Sequence, residues 1–249
     1  KNDEMLTDIE MEEKLKQMND ILENMTIAQR KGWVPKNTKE AMKSPLYIGF
    51  IRAIKVELDA LNEMGLWKTE KLPEGMIPIN TRFVYDIKWN IKENCFSRLK
   101  ARLIAQGFRQ QAYDTYIPDE ISSPVASAST WNMILGVTAA LGLDLNTVDI
   151  KNAFITSSLN EKIWVKLPDF CKVLNGKVTM DENVCLLTKN LYGLRNSSAG
   201  FFNKLKKFLI EFGFVQSNCD PCLFKFIGEN GQTCLLGTHV DDLLIASTP

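Results

Sequence analysis

The sequence predicts an α+β fold built on an antiparallel sheet, and three observations carry that expectation. Phe83, Tyr85, Ile87, Trp89 and Ile91 recur at every second position, the period of a half-buried strand. Ile51, Ile54, Leu58 and Leu61 recur at three- and four-residue steps, the stripe of an amphipathic helix. Strand and helix signals then interleave along the chain without the regular strand–helix–strand beat of a doubly wound sheet.

Taken in order, Leu6, Ile9, Leu15, Met18, Leu22 and Met25 keep helical spacing and predict an acidic helix ending before Gly32 and Pro35. A second helix covers Ile48 to Met64 and stops at Gly65. The Phe83–Ile91 strand turns near Glu93-Asn94 and returns through Leu99 to Ala105, forming a long hairpin. Thr130 to Leu143 is helical, and Leu145 to Ile150 is a short apolar strand with Asp149 at its end. Ile163 to Leu167 and Val184 to Leu187 are further short strands. Phe201 to Phe212 is a helix bounded by Gly200 and Gly213. Leu223 to Ile227 and Thr233 to Val240 flank a turn at Glu229-Asn230-Gly231, and no internal repeat is found.

With 249 residues and 45% hydrophobic content, the chain can bury a sizeable core in one large or two small domains. No apolar run approaches the ~20 residues of a membrane span, and the acidic beginning is unlike a signal or transit peptide. A soluble, intracellular protein without a membrane partner is the expectation. Cys95, Cys171, Cys185, Cys219, Cys222 and Cys234 lack the dense spacing of a secreted disulfide framework and are read as reduced thiols. The formal net charge of zero argues against a simple polyanion-coating protein, yet the charge is uneven. Lys1 to Met25 holds eight acids and three lysines, whereas Lys88, Lys92, Arg98, Lys100, Arg102 and Arg109 face only Glu93.

The chemistry concentrates at Asp241-Asp242, two adjacent carboxylates between apolar strand segments. Like charges side by side raise each other's pKa, and a divalent cation removes that objection. Asp149, at the end of its own strand, is the best third acid. Taken alone, Asp149 could cap a following helix and Asp241-Asp242 could be a turn.

Taken together, the segments resemble the reverse transcriptases of copia-type long-terminal-repeat retrotransposons from about Pro35 onward. The resemblance rests on Glu40-Ala41-Met42 with Trp67, Lys88-Trp89, Lys100-Ala101-Arg102-Leu103-Ile104-Ala105-Gln106-Gly107-Phe108 and Ser123-Pro124-Val125. It continues through Val148-Asp149-Ile150-Lys151-Asn152-Ala153-Phe154, Leu159-Asn160-Glu161, Leu191-Tyr192-Gly193-Leu194, Asp220-Pro221-Cys222-Leu223-Phe224 and Val240-Asp241-Asp242. It implies fingers and an antiparallel palm sheet over residues 35–249, no thumb, and residues 1–34 as an acidic helical linker.

The resemblance also implies roles. Asp149, Asp241 and Asp242, with the backbone carbonyl of Ile150, would hold two Mg²⁺ ions, or Mn²⁺ in their place, for nucleotidyl transfer. Phe154 falls where the family places an aromatic steric gate against a 2′-hydroxyl. Lys100 and Arg102 would reach the triphosphate, and Tyr192 and Gly193 would form part of the template and nucleotide platform. The implied partners are an RNA or DNA template-primer, deoxynucleoside triphosphates and other products of the same polyprotein in a virus-like particle. That setting is cytoplasmic, with the nucleus as a second compartment.

Departures accompany the matches. His239 replaces the family's Tyr before Val240-Asp241-Asp242, Arg195-Asn196-Ser197-Ser198 replaces its Lys-Gln-Ser-Pro, Phe201 stands where a Trp usually follows, and Thr156-Ser157-Ser158 lacks the usual Gly. Seven residues follow Asp242, which leaves room for an outgoing strand and suggests a truncated or degenerate piece. Two functions from different classes follow: a reverse-transcriptase fragment, or a non-catalytic retrotransposon remnant serving as a nucleic-acid-binding or interaction module. A zinc site from Cys219, Cys222, Cys234 and His239 is set aside, because its spacing fits no zinc knuckle and Cys222, Phe224 and Phe226 alternate as a strand face.

Overall fold

The computed structural model describes residues 8–112, 114–171 and 184–249. These fall into two compact units, residues 1–106 with 164–186 and residues 107–163 with 187–249. The start of the first helix at Leu6 lies outside the described residues.

The first unit opens with helices α1 (Asp8–Asn24), α2 (Ile27–Trp33), α3 (Thr38–Lys43) and α4 (Tyr47–Glu63). Thr26 and Gln29 form a capping box on α2, and Asn37 accepts from Glu40 N at 3.0 Å on α3. Both helices are too short for a periodicity signal, which is why the sequence did not announce them. Met18 and Leu22 of α1 and Ile54, Leu58 and Leu61 of α4 are buried. The sheet of this unit runs β1-β6-β5-β2-β3, with β1 (Trp67–Lys68), β2 (Ile79–Asn90), β3 (Cys95–Ala105), β5 (Trp164–Lys166) and β6 (Val184–Leu187). The predicted hairpin is β2–β3, paired from Thr81↔Ala105 to Asn90↔Cys95. One pairing was not anticipated: β2 and β5 are parallel at Ile79↔Val165.

In the second unit the sheet is antiparallel throughout, in the order β4-β10-β9-β8-β7. Its strands are β4 (Asp144–Asp149), β7 (Val215–Gln216), β8 (Leu223–Ile227), β9 (Thr233–His239) and β10 (Asp242–Ser247). Alternation along β9 and β10 sends Leu236 and Leu243 to one face and Leu235 and Ala246 to the other. Helix α6 (Ser197–Glu211) packs Leu205 and Leu209 with the first pair. Helix α5 (Ala128–Leu141) packs Ile134 with the second. Gly237 permits the latter approach, because a Cβ there would lie 2.6 Å from the Trp131 ring. The apolar reading of β4 needs correction. Among the described residues it is an edge strand paired with β10 alone, and every residue in it is exposed.

Asp220 fastens α5 to this sheet. Its carboxylate accepts from Ser127 N (3.0 Å) and the Thr130 hydroxyl at the helix N-terminus, and from Cys222 N (2.8 Å) just before β8. Burial pushes the Asp220 carboxyl up, but the bonds from Thr130, Ser127 and Cys222 outweigh it and hold the group below its ordinary 3.8. The resulting stabilisation is complete above that unfolded value and is lost as pH falls through the lower folded value. Asp220→Asn is therefore expected to cost about 1–3 kcal/mol in urea unfolding at pH 7, with the gap to the parent closing below pH 3.8. A gap that stayed constant down to pH 2 would show that the ionised carboxylate is not what ties the helix.

Candidate active site

Strands β9 and β10 are joined by the two-residue turn Val240-Asp241, closed by the pair His239↔Asp242. Val240 has φ +57°, a left-handed conformation that a β-branched residue adopts only where its surroundings over-determine it. Here the strand pairing on both sides does so, and it puts Asp241 at the tip. On its other edge β10 pairs with β4, with Asp242 directly opposite Asp149. Opposed residues of an antiparallel pair share a face, with Cα atoms roughly 4.5–5.5 Å apart. Ile150 N then donates to Asp241 O at 3.0 Å, tying the end of β4 to the turn.

The backbone thus makes neighbours of Asp149, Ile150, Asp241 and Asp242, which lie about ninety residues apart in sequence. Asp149 and Asp242 are exposed and Asp241 is half-buried. Carboxylate and carbonyl oxygens at these positions are the hard donor set that Mg²⁺ prefers. Among the described residues, however, no three His, Cys, Asp or Glu side chains converge into a metal-holding group. That applies to the acids and to the cysteine–histidine set alike. Cys222 is fully buried, and burial pushes its thiol up.

Phe154 sits in a short 3-10 helix, Ala153–Thr156, entered through Asn152 at φ +55°. Its ring lies 4.9 Å from that of Tyr192 and 6.3 Å from that of Phe201, edge-on to the latter. Such tilted pairs add to the burial of the rings themselves. On one side Phe154 also packs as a core residue, since it lies against the α6 core.

A backbone clamp emerges here that neither periodicity nor composition signalled. Gly107 N donates to Gly193 O at 3.1 Å, and a Cβ on Gly107 would lie 2.1 Å from that same oxygen. Gly193 has φ +89°. Arg195 completes the clamp: its N donates to Gln110 Oε1 (2.7 Å), its Nε to Gly107 O (3.2 Å), and its guanidinium lies 5.2 Å from the Tyr116 ring. Gly107 and Gly193 each belong to a segment of the resemblance, so the signal was their joint presence without their contact.

Lys100 and Arg102 lie on β3 of the first unit, opposite Asp86 and Val84. Burial lowers the Lys100 ammonium, and the like charges of Arg102 and Lys88 lower it further.

A family model described as reverse transcriptase (RNA-dependent DNA polymerase) matches residues 64–249. The chain is 33% identical over 213 residues to the retrovirus-related Pol polyprotein from transposon TNT 1-94 of Nicotiana tabacum, covering 85% of the chain and 15% of that protein. It is 28% identical over 215 residues to the Pol polyprotein from transposon RE2 of Arabidopsis thaliana, at 85% and 14% coverage. It is also 27% identical over 210 residues to the transposon Ty1-DR5 Gag-Pol polyprotein of Saccharomyces cerevisiae, at 80% and 10%. The chain therefore spans no more than 15% of the length of these relatives.

Proposed function

Because the chain belongs to the reverse transcriptase (RNA-dependent DNA polymerase) family, in its copia-type transposon branch, we propose that it carries the nucleotidyl-transfer centre of an RNA-directed DNA polymerase. The observation that supports this reading best is the register Asp242↔Asp149, with Ile150 N bonded to Asp241 O. In it, the first unit corresponds to fingers and the second to palm, with residues 1–34 as a linker.

Asp149, Asp241, Asp242 and the Ile150 carbonyl would hold two Mg²⁺ ions, with Mn²⁺ as the substitute. Bound there, the cations supply Lewis-acid stabilisation of the attacking and leaving oxygens. Lys100 and Arg102 neutralise the triphosphate, and the Tyr192-Gly193 backbone, fixed by the Gly107 clamp, positions the incoming nucleotide and template. The substrate is a template-primer with deoxynucleoside triphosphates. The setting is a cytoplasmic particle that includes other products of the polyprotein, with the nucleus as a second compartment.

The test is incorporation of deoxynucleotides on a homopolymer template, with and without Mg²⁺, by this chain and by a longer form. Mg²⁺-dependent incorporation is expected. Salt-sensitive binding of template-primer with no incorporation in either cation would favour the non-catalytic reading.

Phe154 is proposed as the gate. Removing its ring while leaving a smaller apolar side chain, Phe154→Val, is expected to raise the ribonucleotide-to-deoxynucleotide ratio of kcat/KM by roughly 10-fold, about 1.4 kcal/mol. An unchanged ratio would return Phe154 to a packing role alone.

A further inference from the structure

The outer edge of the first sheet carries a groove that meets the polymerase reading at Lys100 and has no role in it otherwise. Strand β3 ends that sheet. Leu103 N points away from β2 and donates to Glu57 Oε1 of α4 at 3.0 Å. In an antiparallel ladder every second residue turns its N–H and C=O the same way, so those of Leu99 and Ala101 also face outward. Beside them, between β3, α1 and α4, lies a groove of about 490 Å³, within the size range of ligand sites.

Its lining is of two kinds. The apolar part is Met18 and Leu22 of α1, Ala53 and Val56 of α4, and Leu99. One end is filled: a Cβ on Gly49 would lie 2.4 Å from Leu99 Cδ1 and 3.1 Å from Met18 Sδ, so α4 closes directly onto β3 there. The charged part is Arg52, Arg98 and Lys100, against Glu57 as the one acid among the described lining residues, whose carboxylate already receives Leu103 N.

We propose that this groove docks an extended peptide of a protein partner, alternating apolar and acidic residues, which adds as a strand to the outer edge of β3. Outward-facing main-chain groups recognise another peptide backbone, the apolar lining takes alternate side chains, and the arginine–lysine rim takes the carboxylates. A nucleic-acid strand is the less favoured occupant. Only Phe96 among the lining residues offers a ring for base stacking, and an aliphatic floor offers a strand of nucleotides little. The ammonium of Lys100, lowered by burial and by its basic neighbours, agrees with a rim short of anions.

The test uses the full chain and a fluorescein-labelled, end-capped hexapeptide of alternating valine and glutamate, followed by anisotropy. Saturable binding is expected. It should weaken at least roughly 10-fold, about 1.4 kcal/mol, with Val56→Asp, a change at a 69% exposed helix position that leaves the melting curve in place. N-methylation of alternate peptide amides should weaken it as much, because it removes strand pairing and keeps charge and apolar content. Three outcomes would overturn the proposal: no saturation by about 1 mM peptide, equal binding of the methylated and plain peptides, or displacement of the peptide by oligothymidylate that is lost with Val56→Asp. None of these depends on nucleotide incorporation, so the groove and the polymerase centre stand or fall separately.

Discussion

Asp241→Asn is expected to lower Mg²⁺-dependent deoxynucleotide incorporation by roughly 10³-fold, about 4 kcal/mol of transition-state stabilisation. Asparagine has nearly the same shape as aspartate, and the bond that holds the turn, Ile150 N to Asp241 O, uses a backbone carbonyl the variant keeps. The substitution thus removes a negative charge at the tip of the β9–β10 hairpin with little cost to the fold. An unchanged thermal melt beside lost extension is the expected pair of results. Extension within a factor of ten of the parent would remove Asp241 from the metal-holding role, and a collapsed melt would mean that the charge holds the hairpin itself.

Gly107→Ala should be the most damaging of the small substitutions. The new methyl would lie 2.1 Å from Gly193 O, 3.0 Å from Gln110 Oε1 and 3.1 Å from Gly193 C. Two of these atoms are backbone and cannot rotate away. Relief by separation would stretch both Gly107 N to Gly193 O and Arg195 Nε to Gly107 O. Overpacking of this kind costs about 1–3 kcal/mol, and in a chain of this length each kcal/mol lowers Tm by roughly 2–4 °C. Since the displaced segment carries Tyr192, KM for deoxynucleotides should rise as well. A Tm within about 1 °C of the parent would show that the two glycines part at little cost.

Much of this architecture was legible beforehand. The long stripes of α4 and α6 and the alternation of β2 identified their elements because each repeats one physical preference over several turns or pleats. Short elements escaped. Helices α2 and α3 owe their existence to the caps at Thr26 and Asn37, and β1 and β7 have two residues each. Strand β4 reads apolar yet is exposed throughout, because a side chain's burial depends on what stands opposite, which a local pattern does not contain. Asp220 shows the same limit: its segment was quoted for the resemblance, but its bond to the N-terminus of α5 joins residues more than ninety positions away.

The order of the chain alone decided the family and singled out Asp149, Asp241 and Asp242 as the candidate acids, since these depend on residue type and near neighbours. Tertiary structure alone decided that β10 pairs with β4 in the register that sets Asp242 opposite Asp149, and that Gly107 meets Gly193. The physical reason is common to both: slipping an antiparallel pair by one residue reverses every side chain, and what selects one register is the whole packed face, with Leu236 and Leu243 held by α6 and Ala246 by α5.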